Sequence, residues 1–324
     1  MKLLTFLSAG VLCLCGAKAS AANLVMSLME RFNVIAGDYT PGNETEGSAL
    51  VYGTYKPGNS AQFGFNSGQV SNDAKYTLWL NNGVANTNRT TLLSGSLVSR
   101  TPVTSSQFTL NGNAPGTPVI STGEGAWNDA LASVGLSSVN HLTNILTLAS
   151  QQWSQMTPNS TATIPGNGSF TFNATPTLID GTRVAIFNVS AATLFGNGGN
   201  FDRLELNMNG AETVLINVSG TNIDINKNFT NGFTNNESKV LFNFFEATSM
   251  TVNRNFRGAI FAPLANVQQN GSNFDGSVVA AKLTQTAEIH NVTFKGNLPA
   301  SSIPEPSVAI LALAGLGLAF RRKR

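Results

Sequence analysis

The chain of 324 residues carries 19 Lys and Arg against 17 Asp and Glu, so only 11% of it is charged, and it contains two cysteines. Charge this sparse and balanced excludes an electrostatic nucleic-acid binder. Both cysteines, Cys13 and Cys15, fall within the first 15 residues, which excludes a disulfide-stapled fold and leaves burial and backbone hydrogen bonding to hold the rest together.

Residues 1–21 read as a secretory signal peptide. Lys2 precedes an apolar stretch from Leu3 to Gly16, and Ala19-Ser20-Ala21 supplies the A-x-A pattern, with cleavage expected after Ala21 or Ala22. Leu14 stands before Cys15 where a lipid-modified signal wants a small residue. Residues 22–300 form the exported domain. No Pro/Ser-rich linker or charge block divides it, and the length suits one large all-β domain. Short apolar runs are separated by turn signals such as Asn82-Gly83, Asn111-Gly112, Asn209-Gly210 and Asn231-Gly232, the mark of many short strands.

The stretch from Glu124 to Met156 breaks that pattern. Val139, Leu142, Leu146, Ala149 and Trp153 share one helical face, Ser137 or Ser138 supplies an N-cap, and Gly135 interrupts an earlier turn carrying Trp127 and Leu131. The spacing predicts one amphipathic helix whose stripe covers a sheet. From Thr182 to Phe294 the chain repeats itself. Asn188, Asn217 and Asn243 recur in similar apolar settings, Phe229 is answered by Phe256, and Gly258 by Gly276. Repeats of this length with short strands predict a right-handed parallel β-helix, a β-solenoid with the helix packed alongside; a β-sandwich is the alternative. Its inward ladder is expected through Val184, Leu215 and Leu241 or their immediate neighbours, with stacked Asn amides at the bends.

Chemistry is thin. His141 and His290 are the two histidines, and no nucleophile elbow, zinc-protease or P-loop motif occurs. Glu44, Glu46, Asp202, Glu205, Asp224, Asp275 and Glu288 show no spacing that pairs them across repeats. His290 is expected to bond Glu288 or Asn291. Lys227 and Arg254 occupy equivalent repeat positions, and because stacked cations repel, both are expected to face solvent as candidate glycan contacts. No cofactor or catalytic metal is expected. Structural calcium is a candidate at Asp224-Ile225-Asn226-Lys227-Asn228 or at Gly198-Gly199-Asn200-Phe201-Asp202.

Residues 301–324 read as a sorting signal. Pro304-Glu305-Pro306 opens it, an apolar run from Val308 to Phe320 follows, and Arg321-Arg322-Lys323-Arg324 closes it. The run is shorter than the ~20 residues of a stable span, which suits transient anchoring through 308–320, while the four cations keep that end in the cytoplasm. Lys2, Lys18 and these four cations account for six of the 19 basic residues and Glu305 for one of the 17 acidic ones, so the remainder holds 13 against 16. The tail resembles the PEP-CTERM signal of exopolysaccharide-producing Gram-negative bacteria, which implies an exosortase as processing partner.

The domain is similar to the choice-of-anchor A family. Phe32-Asn33-Val34-Ile35-Ala36-Gly37-Asp38-Tyr39, Leu241-Phe242-Asn243-Phe244-Phe245-Glu246, Gly258-Ala259-Ile260-Phe261-Ala262-Pro263, Gly276 to Lys282 and Glu288-Ile289-His290 carry the likeness. It implies an adhesin of the cell surface or extracellular matrix and implies no ligand; taken with the resemblance of the tail, the expectation is an exported, non-enzymatic protein associated with exopolysaccharide and biofilm. Two other readings stand beside it. A glycan-active β-helix enzyme, a polysaccharide lyase or hydrolase, needs converging carboxylates. An ice-binding solenoid needs a flat face of repeated Thr, but Thr161 to Thr163 and Thr175 to Thr177 do not recur at the coil period.

Overall fold

Runs rich in Val, Ile and Phe that end at Gly or Asn every few residues favour short strands joined by tight corners, and the chain stacks these into a parallel β-helix. The computed structural model describes residues 21–64, 76–110, 119–163, 168–196 and 201–299. The first face of the helix is a stack of strands in the order 182–190, 213–219, 240–243, 259–269, 278–284, 34–40, 49–51, 78–80, 97–99 and 120–122. Each pairs with the next in parallel. Among the described residues antiparallel pairing is confined to two hairpins at one end, 161–163 on 168–173 and 177–179 on 182–190. Parallel stacking of this kind rules out the sandwich.

The repeats seen in the sequence are the coils. Asn188, Asn217 and Asn243 lie in direct register, Ile260 pairs with Val278, and the Phe229 and Phe256 rings sit 4.6 Å apart. A second face carries 222–225, 249–252, 266–269, 282–284 and 38–40. It continues through bridges from Tyr39 to Tyr55 to Val84. A third face carries 256–257, 274–275, 289–290, 44–45, 62–63, 90–92 and 108–110, and a separate sheet holds 168–173, 201–207 and 228–229.

The coil order departs from chain order. Strand 34–40 stacks on 278–284, so the first coils follow the last. A buried polar network lies at this seam: Tyr39 Oη donates to Gln285 Oε1 at 2.6 Å and lies 2.7 Å from Thr45 Oγ1, Gln285 Nε2 donates to the Glu44 carbonyl at 2.6 Å, and Ser277 Oγ donates to the Met29 carbonyl at 3.0 Å. Burial pushes the Tyr39 phenol well above its ordinary range, so it remains a donor.

Among the described residues four α-helices appear where one was expected. α1 spans Ala21–Arg31, α2 Glu124–Ser133, α3 Val139–Ser154 and α4 Ala191–Phe195. α3 is the predicted amphipathic helix, with Ser138 Oγ accepting from the His141 amide at 3.0 Å. It carries the chain back from the 120–122 end to the 161–190 end. α1 went unmarked because it adjoins the stretch read as a signal peptide, yet it buries Ala22, Val25, Met26, Leu28 and Met29 in the cluster shared with α3.

α1 and α3 cover the outer side of the first face, which changes the expected ladder. Leu215 and Leu241 lie beneath the helices with Trp153 and Phe261, whereas their neighbours Val214, Ile216, Val240 and Phe242 fill the interior. Both sides of these strands are buried, so they read as continuous apolar runs with no alternation to mark inside from outside. The Asn column also lies within the strands and not at the bends. Asn217 Nδ2 donates to Asn188 Oδ1 at 3.0 Å and to the Trp153 carbonyl at 2.8 Å; Asn243 Nδ2 donates to Asn217 Oδ1 at 2.9 Å and to the Ser150 carbonyl at 2.8 Å. The ladder thus pins α3 to the sheet through the Ser150 and Trp153 carbonyls of its C-terminal part.

Candidate functional site

With the first face covered, the second and third faces present side chains to solvent. Along the second face Ile223, Ile225, Met250, Val252, Val267, Leu283 and Tyr39 turn inward and are buried. Strand alternation then turns their neighbours outward in two columns. One column runs Asn222, Ser249, Asn266, Lys282, Asp38, and the other Asp224, Thr251, Gln268, Thr284, Thr40, each in register from rung to rung. At a rung spacing of ~4.8 Å the face is a regular lattice of amide, hydroxyl and carboxylate groups with scattered charges of both signs. Asn270 Nδ2 donates to Asn253 Oδ1 at 2.7 Å, and Asn253 Nδ2 donates in turn to Asp224 Oδ1, which stiffens one edge.

The third face holds a chain of ion pairs. Arg257 Nη1 lies 2.5 Å from Glu237 Oε1 and 3.3 Å from Asp275 Oδ2; His290 bonds Asp275 through Nδ1 and lies 3.2 Å from Glu288 Oε2 through Nε2. The expected Glu288 bond is present, and the stronger partner is Asp275, one rung away. That hydrogen bond, helped by Glu288 against the opposing effect of burial, raises the His290 pKa to about 9. A histidine held protonated with both ring nitrogens donating offers no general base at neutral pH. Glu44 is raised too, by burial first and then by the charges of Glu288 and Glu46.

The two cations singled out by their repeat positions part company. Arg254 is exposed, as expected. Lys227 is not: it is buried, its Nζ donates to the Phe201 carbonyl at 2.7 Å and lies 4.7 Å from the Phe201 ring centroid. The expectation that both face solvent therefore fails for Lys227. Cation repulsion is avoided by turning one side chain inward, where a carbonyl and an aromatic face receive it. Nothing in the sequence marked the second-face columns, because their members come from five coils with unequal spacing.

Among the described residues no group of three or more His, Asp or Glu is placed to hold a metal ion. At the calcium candidate, Asp224 is engaged by Asn253, and Asn228 Nδ2 donates to the Asp202 carbonyl at 3.4 Å. Residues 198–200 of the other candidate lie outside the described residues, as do Ala19, Pro304, Glu305, Pro306, the 308–320 run, Arg321, Arg322, Lys323 and Arg324; Ala21 opens α1. Among the described residues no helix is long and apolar enough to cross a membrane.

Three solved structures are similar. They are a glycosylated ice-binding protein (LeIBP) from an Arctic yeast, at 12% identity over 86% of this chain and 97% of that one with a TM-score of 0.36; the DUF3494 domain of ice-binding protein 1 from Shewanella frigidimarina, at 14% over 83% and 96% with 0.33; and an ice-binding protein from an Antarctic biological consortium, at 12% over 81% and 87% with 0.31. No curated protein matches the chain. Residues 26–291 match the family model described as "Putative Ice-binding-like adhesive domain", and the chain belongs to that family.

Proposed function

We propose that this is an exported, non-enzymatic adhesive protein that holds an extended glycan against its second face. The observation that carries the reading is the pair of in-register columns from Asn222 to Asp38 and from Asp224 to Thr40. Weak contacts repeated at fixed spacing add along a polymer through multivalency. A regular face of amides and hydroxyls has no need of a deep pocket. On the third face the carboxylates near His290 are tied into ion pairs, which speaks for structure over glycan cleavage.

The test is retention of the purified domain on the producer's exopolysaccharide. Replacing Asn266 and Gln268 together by Trp, which breaks the lattice at mid-face, should cut retention at least tenfold. The same change at Gln62 and Thr91 on the third face should leave it intact. Equal retention in both variants, or release of oligosaccharides from the polymer, refutes the reading.

A second reading is ice binding, favoured by Thr251, Thr284 and Thr40 sharing one column. The charges of Asp224, Lys282 and Asp38 on the same face hold hydration water and oppose it. Thermal hysteresis lost in Thr251→Lys would establish ice as the ligand in place of glycan. Sorting belongs to the same proposal: the protein is exported, an exosortase removes the segment from the Pro304–Pro306 region onward, and the domain reaches the surface or matrix. Intact mass of surface material should lack both ends, and recovery of Arg324 there would refute processing.

A further inference from the structure

At one end of the second face the coil changes course. Strand 182–190 ends at Ser190, whose Oγ accepts from the Thr193 amide at 3.0 Å. The chain therefore turns into α4 where the other coils continue into a second-face strand. α4 stands beside the end rung 222–225, and a groove of about 430 Å³ opens between them. Its lining includes Ala192 and Phe195 of α4, Gly220, and Asn222, Asp224 and Asn226.

Each part of the groove has a chemical consequence. Asn222 and Asp224 are the first members of the two second-face columns, so the groove continues the proposed binding face. The amides of Asn222 and Asn226 both donate and accept, and Asp224 has one oxygen engaged by Asn253 and the other free to accept. Gly220, at φ +130°, brings its backbone so close to α4 that a Cβ there would stand 3.0 Å from the Ala191 Cβ. Asp224 is the one ionisable group among the lining residues. The cation next along the chain, Lys227, is turned away to Phe201.

We propose that this groove holds a single non-anionic sugar unit of the glycan, an inference that rests on the glycan reading and gives it a specificity. A sugar presents adjacent hydroxyls, which pair with a carboxylate and amides, and a C–H face, which suits Ala192 and Phe195. The volume lies within the range of small-ligand sites. The sign of the charge selects against uronates, because Asp224 repels a ligand carboxylate and no cation among the described residues lines the groove to offset it. Neutral and amino sugars meet no such barrier.

The experiment uses the full domain with tetrasaccharides of three kinds, neutral, amino and uronic, followed by calorimetry and by amide shifts of Asn222 and Asn226. The neutral and amino tetrasaccharides should bind at least tenfold more tightly than the uronic one. Asp224→Lys should reverse the order of amino and uronic ligands. Ala192→Trp, at an exposed helix position, should block all three and leave the melting temperature unchanged. Asn222→Ala should weaken binding severalfold and guards against a misfolded tryptophan variant. Binding of the uronic ligand as tight as the neutral one, or binding that survives Ala192→Trp, overturns the proposal. Retention of polymer with no tetrasaccharide bound overturns the groove alone, whereas loss of both overturns the glycan reading itself.

Discussion

Removing the Asn243 side chain should loosen the whole covered face. Asn243 is fully buried and makes three bonds: Nδ2 donates to the Ser150 carbonyl at 2.8 Å and to Asn217 Oδ1 at 2.9 Å, and Oδ1 accepts from Ser150 Oγ at 2.7 Å. Each net bond contributes about 1 kcal/mol, and an orphaned buried hydroxyl costs about as much again, so Asn243→Ala should lose about 3–4 kcal/mol. That is a large share of the ~5–15 kcal/mol typical of a domain. Asn217→Ala breaks the bonds to Trp153 and Asn188 and removes the acceptor of Asn243. Because the two residues share one bond, the double variant should fall short of the sum by about 1 kcal/mol. Urea unfolding followed by tryptophan fluorescence is a direct assay, since Trp79, Trp127 and Trp153 all lie in the cluster beneath the helices. An Asn243→Ala protein within ~0.5 kcal/mol of wild type would refute the claim that the ladder holds α3.

His290 should make stability depend on pH. Its folded pKa of about 9 exceeds the ordinary value of 6.5, so its contribution is complete below that ordinary value and is lost as pH rises through about 9. His290→Gln should flatten the stability profile between those limits, and an unchanged slope would count against the assignment. Gly232→Ala should destabilise by ~3 kcal/mol or more, measured by thermal unfolding, because the glycine sits at φ +81° and a Cβ would lie 1.6 Å from the Leu206 carbonyl oxygen. Lys227→Ala should cost about 1–3 kcal/mol by stranding the Phe201 carbonyl, whereas Arg254→Ala should stay within ~0.5 kcal/mol; equal effects would contradict the burial of Lys227.

The sequence by itself determined whatever repeats or periodicity encodes locally. The coils were legible because Asn188, Asn217 and Asn243 occupy the same position on successive rungs, and α3 because its apolar spacing fits a helical turn. Only the tertiary structure decided the rest. Val34 meets Val278 across 244 residues of chain, a juxtaposition no local pattern announces. The His290 network gathers Glu237, Arg257, Asp275 and Glu288 from several coils, and the second-face columns draw on five coils of unequal length. The inward turn of Lys227 depends on Phe201, one coil away. Which side of the first-face strands is interior also stayed unreadable, since helices α1 and α3 bury the outer side and erase the period-two alternation that marks one face wet and the other dry.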